Sequence, residues 1–192
     1  MTGTAIQHPP WAGRRDAVRN YHRILDAARE VLGESGADAS MEEIAARAGV
    51  GIGTVYRKFA SKDALIDELL RLAMEEITAA AERALARTDG HGLEDLLRAL
   101  GQSFADHARY ANLFLERPTD PAAAHRMRAA IGELTARAAA AGTVHAGVTA
   151  ADVMALIWAM RGVVQAGEVA PEGWQRFLDI HLAGLRAAPC PG

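Results

Sequence analysis

The chain has 192 residues, half of them hydrophobic and 5% aromatic, with a formal net charge of −3. That length and apolar content support one or two domains with a real core and exclude a disordered polymer. Abundant Ala, few aromatics and almost no β-branched runs predict an all-α fold, and no apolar run reaches the ~18 residues that a membrane span needs.

The opening residues, "MTGTAIQHPPWAGRRD", contain no apolar h-region of the kind a secretory signal carries. The single cysteine, Cys190, lies in the C-terminal "APCPG" and can form no intrachain disulfide. Both features are those expected of a protein of the reducing cytoplasm. Charge is uneven along the chain. Residues 1 to 62 carry nine Lys/Arg against seven Asp/Glu, and residues 63 to 192 carry twelve against seventeen. A mildly basic N-terminal part on an acidic remainder is a weak pointer to a polyanionic partner at that end, or simply variation of surface charge.

In chain order, residues 1–13 hold Gly, Thr and a Pro-Pro pair and read as a flexible arm. A helix is expected from about Arg14 to Leu32, with Val18, Tyr21, Ile24, Leu25, Ala28, Val31 and Leu32 at three- and four-residue steps. "GESGADA" ends it, and Ser40 with Glu43 spells a capping box for the next helix. Ile44, Ala45 and Ala48 form the inner stripe of that helix, and Gly49 stops it in a left-handed position. A short third helix is expected from Gly51 to Phe59. After the Ala60-Ser61 turn, a long fourth helix runs from Lys62 to Arg87. Beyond "TDGHG" come a helix from Leu93 to His107, the short apolar piece "YANLFLE", and an Ala-rich helix from Pro121 to Ala141. Thr149 with Asp152 marks the start of a helix to Ala166, and the last runs from Trp174 to Arg186. The total is about nine helices.

The stretch "GVGIGTVYRKFASK", residues 49 to 62, is the most informative. Gly in a helix interior costs roughly 1 kcal/mol relative to Ala. Three glycines in five positions therefore need a reason. Two short helices joined at Gly49-Val50 make a helix-turn-helix candidate, and the tight turn accounts for Gly49. Gly51 and Gly53 fall at the start of the third helix, the end that recognition helices push toward base edges. Without side chains there, backbone can approach DNA closely. Thr54 and Tyr56 can reach phosphate oxygens, and a Thr methyl can touch a thymine methyl. Arg57, Lys58 and Lys62 can supply the sequence-independent phosphate attraction. Val55 and Phe59, four apart, would pack inward on Ile44, Ala45 and the first helix. On these residues alone, a small three-helix bundle with a polar surface and a glycine loop is as good an account.

The segment "RILDAAREVLGESGADASMEEIAARAGVGIGTVYRKFASKDALI" resembles the DNA-binding region of the tetracycline-repressor (TetR) family. The resemblance rests on "ILDAA", "EEIAARAGV" and "GTVYRKFASKDAL" in that order and spacing, and covers residues 14 to about 70. It implies a helix-turn-helix domain at 14–65, a ligand-binding and dimerisation domain at 66–188, and a short tail at 189–192. It also implies that Thr54, Tyr56 and Lys62 contact the DNA backbone, with Tyr56 able to touch a base. Ser40 would cap the second helix and meet a phosphate. Ile52 and Gly53 would approach base edges, and Arg14 and Arg15 would add phosphate or minor-groove contacts. Glu42 stands where some members carry a base-reading cation. Ile52 can read only by apolar or steric contact.

For the larger half, the resemblance implies a homodimer with an effector pocket, and the local chemistry agrees. Val153, Ile157, Met160 and Val164 line one face of the helix ending at Ala166, which also carries Ala155, Ala159, Gly162 and Ala166 at steps that let helices approach closely. The last helix offers Trp174, Phe177, Leu178, His181, Leu182 and Leu185. Two such helices from each of two chains would build a four-helix interface, unless both are intrachain core. Candidates for a pocket wall are Phe104, His107, Tyr110, Phe114, Met127, Ile131, Trp158, Met160 and Arg161, mostly apolar with a few polar groups. For the apolar ones, packed core is the plainer account. Arg161, inside an otherwise apolar helix, could meet an anionic ligand, pair with a buried carboxylate or reach solvent.

Enzyme classes find little support. The seven histidines, at 8, 22, 91, 107, 125, 145 and 181, never pair at i, i+4, and there is no HExxH or CxxC metal motif. "GVGIGTVY" lacks the third glycine of a dinucleotide loop and no strand precedes it. No cofactor is expected. Two function classes remain: a ligand-responsive DNA-binding regulator that acts as a homodimer on a near-palindrome, most simply as a repressor released by an unidentified small molecule, and an all-α protein-interaction module without specific DNA binding. No membrane partner is expected of either.

Overall fold

The computed structural model describes residues 10–111, 113, 117, 120–166 and 173–186, with side chains from Asp16 onward. Among these residues it is entirely helical: α1 (Pro10–Ser35), a 3-10 turn (Gly36–Asp38), α2 (Met41–Ala48), α3 (Ile52–Lys58), α4 (Lys62–Ala86), α5 (Gly92–His107), a second 3-10 turn (Ala108–Tyr110), α6 (Pro121–Ala140), α7 (Ala150–Ala166) and α8 (Gly173–Arg186). The first helix begins at Pro10, within the stretch expected to be an arm, and Pro suits the first turn because it has no amide to leave unsatisfied. That helix ends at Ser35, three residues beyond the expected Leu32, and the other boundaries fall within one residue of the sequence-based expectation. The short apolar piece that would have made a ninth helix lies largely outside the described residues.

The chain divides into two units, residues 1–69 and 70–192, and α4 is continuous across the division. In the first unit α1 packs on α2 and α2 on α3. Its core holds Ile24, Leu25, Ala28, Leu32, Ile44, Ala45, Val55, Phe59, Leu65 and Leu69, all buried. Apolar steps of three and four residues put them on facing helix stripes. Arg47 of α2 ties this packing at its edge, with its guanidinium donating to Glu30 at 2.9 Å and to both oxygens of Glu34 at 2.7 and 3.1 Å. These groups are exposed, so the ties steer geometry more than they add stability.

In the second unit α5 packs on α6, α7 and α8, α6 on α7, and α7 on α8. The core runs from Ile77, Ala80, Ala81 and Ala84 of α4 through Leu93, Leu96, Leu97 and Leu100 to Ile131, Leu134, Val153, Ile157, Met160, Trp174, Leu178 and Leu182. Gly101 is set by close approach, since a Cβ there would lie 2.3 Å from the Trp174 ring and 3.0 Å from the Met160 sulfur. Glu94, Arg98, Asp179 and Arg186 form an ion-pair network joining α5 to α8, with Arg98 donating to Glu94 and Asp179 at 2.8 Å each.

Six residues expected at a dimer interface are therefore core residues of their own chain: Val153, Ile157, Met160, Trp174, Leu178 and Leu182 are all less than a tenth exposed. Val164 and Phe177 are half-buried against the same core, and His181 is exposed. The outward faces of α7 and α8 carry other residues: Ala155, Trp158, Ala159 and Gly162 on α7, and Arg176, Ile180, Ala183 and Gly184 on α8.

Candidate nucleic-acid interface

The helix-turn-helix is built by local capping. Ser40, extended at φ −106 and ψ 155, caps α2: its hydroxyl accepts from the Glu43 amide at 3.1 Å, and a Glu43 oxygen accepts from the Ser40 amide at 2.8 Å. The Ser40 amide, and the Ser40 hydroxyl donating to the same carboxylate oxygen at 2.8 Å, hold Glu43 below its ordinary value of 4.5. At the other end Gly49 is left-handed, at φ 63 and ψ 40. The Gly49 amide donates to Ala46 at 3.1 Å and the Val50 amide to Ala45 at 3.1 Å, so the chain reverses within three residues. The Arg23 guanidinium lies 2.6 Å from where a Gly49 Cβ would sit, but it is the end of a flexible side chain that can move aside, so the left-handed backbone is what requires glycine.

Gly51 and Gly53 answer to a different constraint. Gly51 sits at φ −67 and ψ 142, a conformation open to any residue, and a Cβ on either glycine would meet nothing within 4 Å. Nothing inside the unit excludes a side chain from these positions. Around them lies one outward face: Gly51, Ile52, Gly53, Tyr56, Arg57 and Lys58 are exposed and Thr54 is half-buried. Ile52 is 38% exposed and Tyr56 47%. The opposite side of α3 is anchored by Val55 and Phe59, at 0% and 6% exposure. The Phe59 ring stacks on Tyr21 of α1 at 5.9 Å between centroids, and the Lys58 ammonium lies 5.9 Å from the Tyr21 ring. The Tyr21 hydroxyl donates to Glu68 of α4. α3, a helix of only seven residues, is thus held by α1, which is itself tied to α4 through Tyr21, as well as by the turn.

The structure brings together Ser40, Ile52, Gly53, Thr54, Tyr56, Arg57 and Lys58 in the helix-turn-helix. Lys62 is placed differently. It is half-buried, and its ammonium donates to the carbonyls of Ala37 at 2.5 Å and Ala39 at 3.0 Å. Nothing in the local pattern announces this, because the two carbonyls belong to a loop some 25 residues away. Arg14 and Arg15 lie on the first turns of α1, and their side chains are outside the described residues. Glu42 is exposed.

In the second unit, His107, Tyr110 and Ile131 are buried and Phe104 and Met127 are half-buried against the core. The His107 Nδ1–H donates to the Ser103 carbonyl at 2.6 Å, and its ring meets Tyr110 edge-on at 5.7 Å. Phe114 lies outside the described residues. Trp158, expected on a pocket wall, is instead 60% exposed, and the half-buried Arg161 has its guanidinium 5.8 Å from the Trp158 ring. A cavity of about 10 Å³ beside Leu93, Ala138, Val144 and Leu182 has room for one water and no effector. Among the described residues no His, Cys, Asp and Glu side chains group to hold a metal, and no helix is long and apolar enough to cross a membrane.

Residues 24–69 match the family model for bacterial regulatory proteins of the tetR family, and residues 100–187 match the C-terminal domain of SbtR-like transcriptional regulators. The fold is similar to the crystal structure of a TetR transcription regulatory protein from Mycobacterium vanbaalenii, at 31% identity and a TM-score of 0.60, over 91% of this chain and 99% of that one. It is also similar to the TetR regulator SCO0520 from Streptomyces coelicolor, at 26% identity and a TM-score of 0.65, over 87% and 98%. Among curated proteins, the repressor KstR of Mycolicibacterium smegmatis is 35% identical over 85 residues, which are 44% of this chain and 42% of KstR. The chain spans half or less of the length of the curated relatives it matches. With both of its units matched and a 31% identical relative covered almost end to end, the chain belongs to the TetR family of bacterial regulatory proteins.

Proposed function

We propose that the protein is a ligand-responsive, homodimeric transcriptional repressor whose α3 enters the major groove of a near-palindromic operator. The observation that carries this reading is the outward face of α3: two glycines with open space in front of them, flanking an exposed Ile52 and followed by an exposed Tyr56-Arg57-Lys58 run. Backbone at Gly51 and Gly53 can come against the base edges. Ile52 offers an apolar contact of the kind a thymine methyl accepts. Thr54 and Tyr56 reach phosphate oxygens, Arg57 and Lys58 supply charge, and Ser40 with the N-terminal amides of α2 meets a further phosphate. Arg14 and Arg15 would extend the contacts beyond the helix-turn-helix. Two copies would meet successive major grooves about one turn, ~34–36 Å, or more apart.

Dimerisation is assigned to the outward faces of α7 and α8. Trp158 and Ile180 are 60% and 59% exposed, and Ala155, Ala159, Gly162 and Ala183 around them allow close helix approach. The effector would enter the second unit by the Phe104, His107, Tyr110, Met127 and Ile131 cluster, and its binding would favour a state of the dimer with a different setting of α4. Coupling of about 1–3 kcal/mol would weaken DNA binding by roughly 5–150-fold. The test is selection of duplexes from a random library by the purified protein. Enrichment of one near-palindrome supports the reading, and recovery of no preferred sequence points to an interaction module instead.

A further inference from the structure

Of the 21 Lys and Arg in the chain, 19 are arginine and two are lysine, Lys58 and Lys62. They close α3 and open α4, so both stand in the helix-turn-helix unit. Every other side-chain cation except histidine is a guanidinium, which keeps its charge. A lysine amine, once it gives up its proton, is a nucleophile. The side-chain amines of this protein are therefore confined to the unit that carries the proposed DNA face.

The two lysines differ in access. Lys62 is half-buried, and its ammonium donates to the carbonyls of Ala37 at 2.5 Å and Ala39 at 3.0 Å. Lys58 is exposed beside Arg57 on the outward face of α3. Among the described residues its ammonium makes no hydrogen bond or ion pair, and its contact with the Tyr21 ring, 5.9 Å to the centroid, is at the limit of such attractions.

We propose that Lys58 is an acylation site for acyl phosphates, and that its acylation releases the protein from DNA. The consequence rests on the DNA-binding reading above, to which it adds a covalent route of control. The deprotonated Nζ attacks the carbonyl carbon of the acyl phosphate. A C–N bond forms and the bond from the acyl carbon to the phosphate oxygen breaks. Phosphate leaves with the electron pair, and the nitrogen loses its remaining extra proton to water. A face suited to the phosphates of DNA also suits the phosphate of the donor, with Arg57 next to the amine. The product is an uncharged amide, so one charge is removed from the face. With it goes one counterion-releasing contact, and the slope of log K against log salt becomes shallower by about 0.9 for each subunit.

The experiment treats the DNA-free protein with acetyl phosphate and follows each lysine, and the α-amino group separately, by peptide mass spectrometry. Affinity for a duplex that the parent selects from a random pool is then read by fluorescence anisotropy across a potassium chloride series. Lys58 should be acetylated roughly tenfold faster than Lys62 or more, because Lys62 must first give up bonds to two carbonyls. Equal rates, or a faster Lys62, would overturn the site. The acetylated parent should bind roughly tenfold more weakly for each subunit, the scale of one charge-assisted contact, with the shallower slope. Acetylated Lys58 with affinity and slope unchanged would overturn the proposal. Treatment should leave the affinity of Lys58→Arg at whatever value that variant starts from. A loss there equal to the parent's would place the effect on another group. Selected duplex added beforehand should slow acetylation of Lys58, and an undiminished rate would put Lys58 off the DNA face and contradict the release. A parent that binds no duplex refutes the DNA-binding reading, and the two acetylation rates still decide the site.

Discussion

Gly53 and Gly101 are both glycines in helices, yet a methyl group at the two positions should do opposite things. At Gly53 a Cβ meets nothing within 4 Å. Gly53→Ala should hold or raise stability, by up to about 0.5–1 kcal/mol from helix propensity, while weakening DNA binding because the methyl stands on the face offered to base edges. Thermal denaturation and anisotropy on the same sample test the pair of effects, and unchanged DNA affinity would remove the reason given for this glycine. At Gly101 the added Cβ falls 2.3 Å from the Trp174 ring, and Trp174 is only 5% exposed. Gly101→Ala should cost about 1–3 kcal/mol through overpacking, read by urea denaturation, with little effect on DNA affinity once folded. The sequence shows both as glycines in a helical pattern, and only the neighbours separate them.

The α2 element carries its own pH signature. Glu43 is held below its ordinary 4.5, first by the Ser40 amide and then by the Ser40 hydroxyl. A carboxyl with a lowered folded-state value contributes stability that is present above the unfolded value and lost as pH falls through the folded one. Glu43→Gln should therefore destabilise at neutral pH, and its difference from the parent should shrink below about pH 4. Denaturation midpoints at pH 7 and pH 3 check this, and a difference that does not change with pH would contradict it. Ser40→Ala should cost about 1 kcal/mol at neutral pH. This element was legible from Ser40, Glu43 and Gly49 alone because capping is a local code, and the same holds for the bounds of α4 through α8. The facing of α7 was not legible. It carries apolar residues on every side, from Val153 and Met160 within to Trp158 and Ala159 without. Periodicity cannot then choose which stripe is inward, and the stripe read as an interface proved to be core. Lys62 escaped for a related reason, because its partners are set by the fold rather than by its neighbours in sequence.

At the scale of the whole molecule, the proposed function requires a reading head in the first unit and an interface and effector site in the second, and α4 is the helix continuous across both. Trp158→Asp or Ile180→Asp should yield a folded monomer by analytical ultracentrifugation and reduce operator affinity sharply, since one head loses the contribution of the other. A variant that remains dimeric would move the interface elsewhere. The central claim is that α3 reads DNA. It is tested most directly by fluorescence anisotropy of the purified protein on the DNA upstream of its own gene, with an unrelated duplex as control and salt titrated throughout. The account predicts tight binding that falls steeply with salt and prefers the upstream duplex, and that Tyr56→Ala weakens it while leaving the oligomer intact. Binding by Tyr56→Ala and Arg57→Ala indistinguishable from the parent, or equal and weak binding of the parent to both duplexes and to every sequence selected from a random pool, would contradict it.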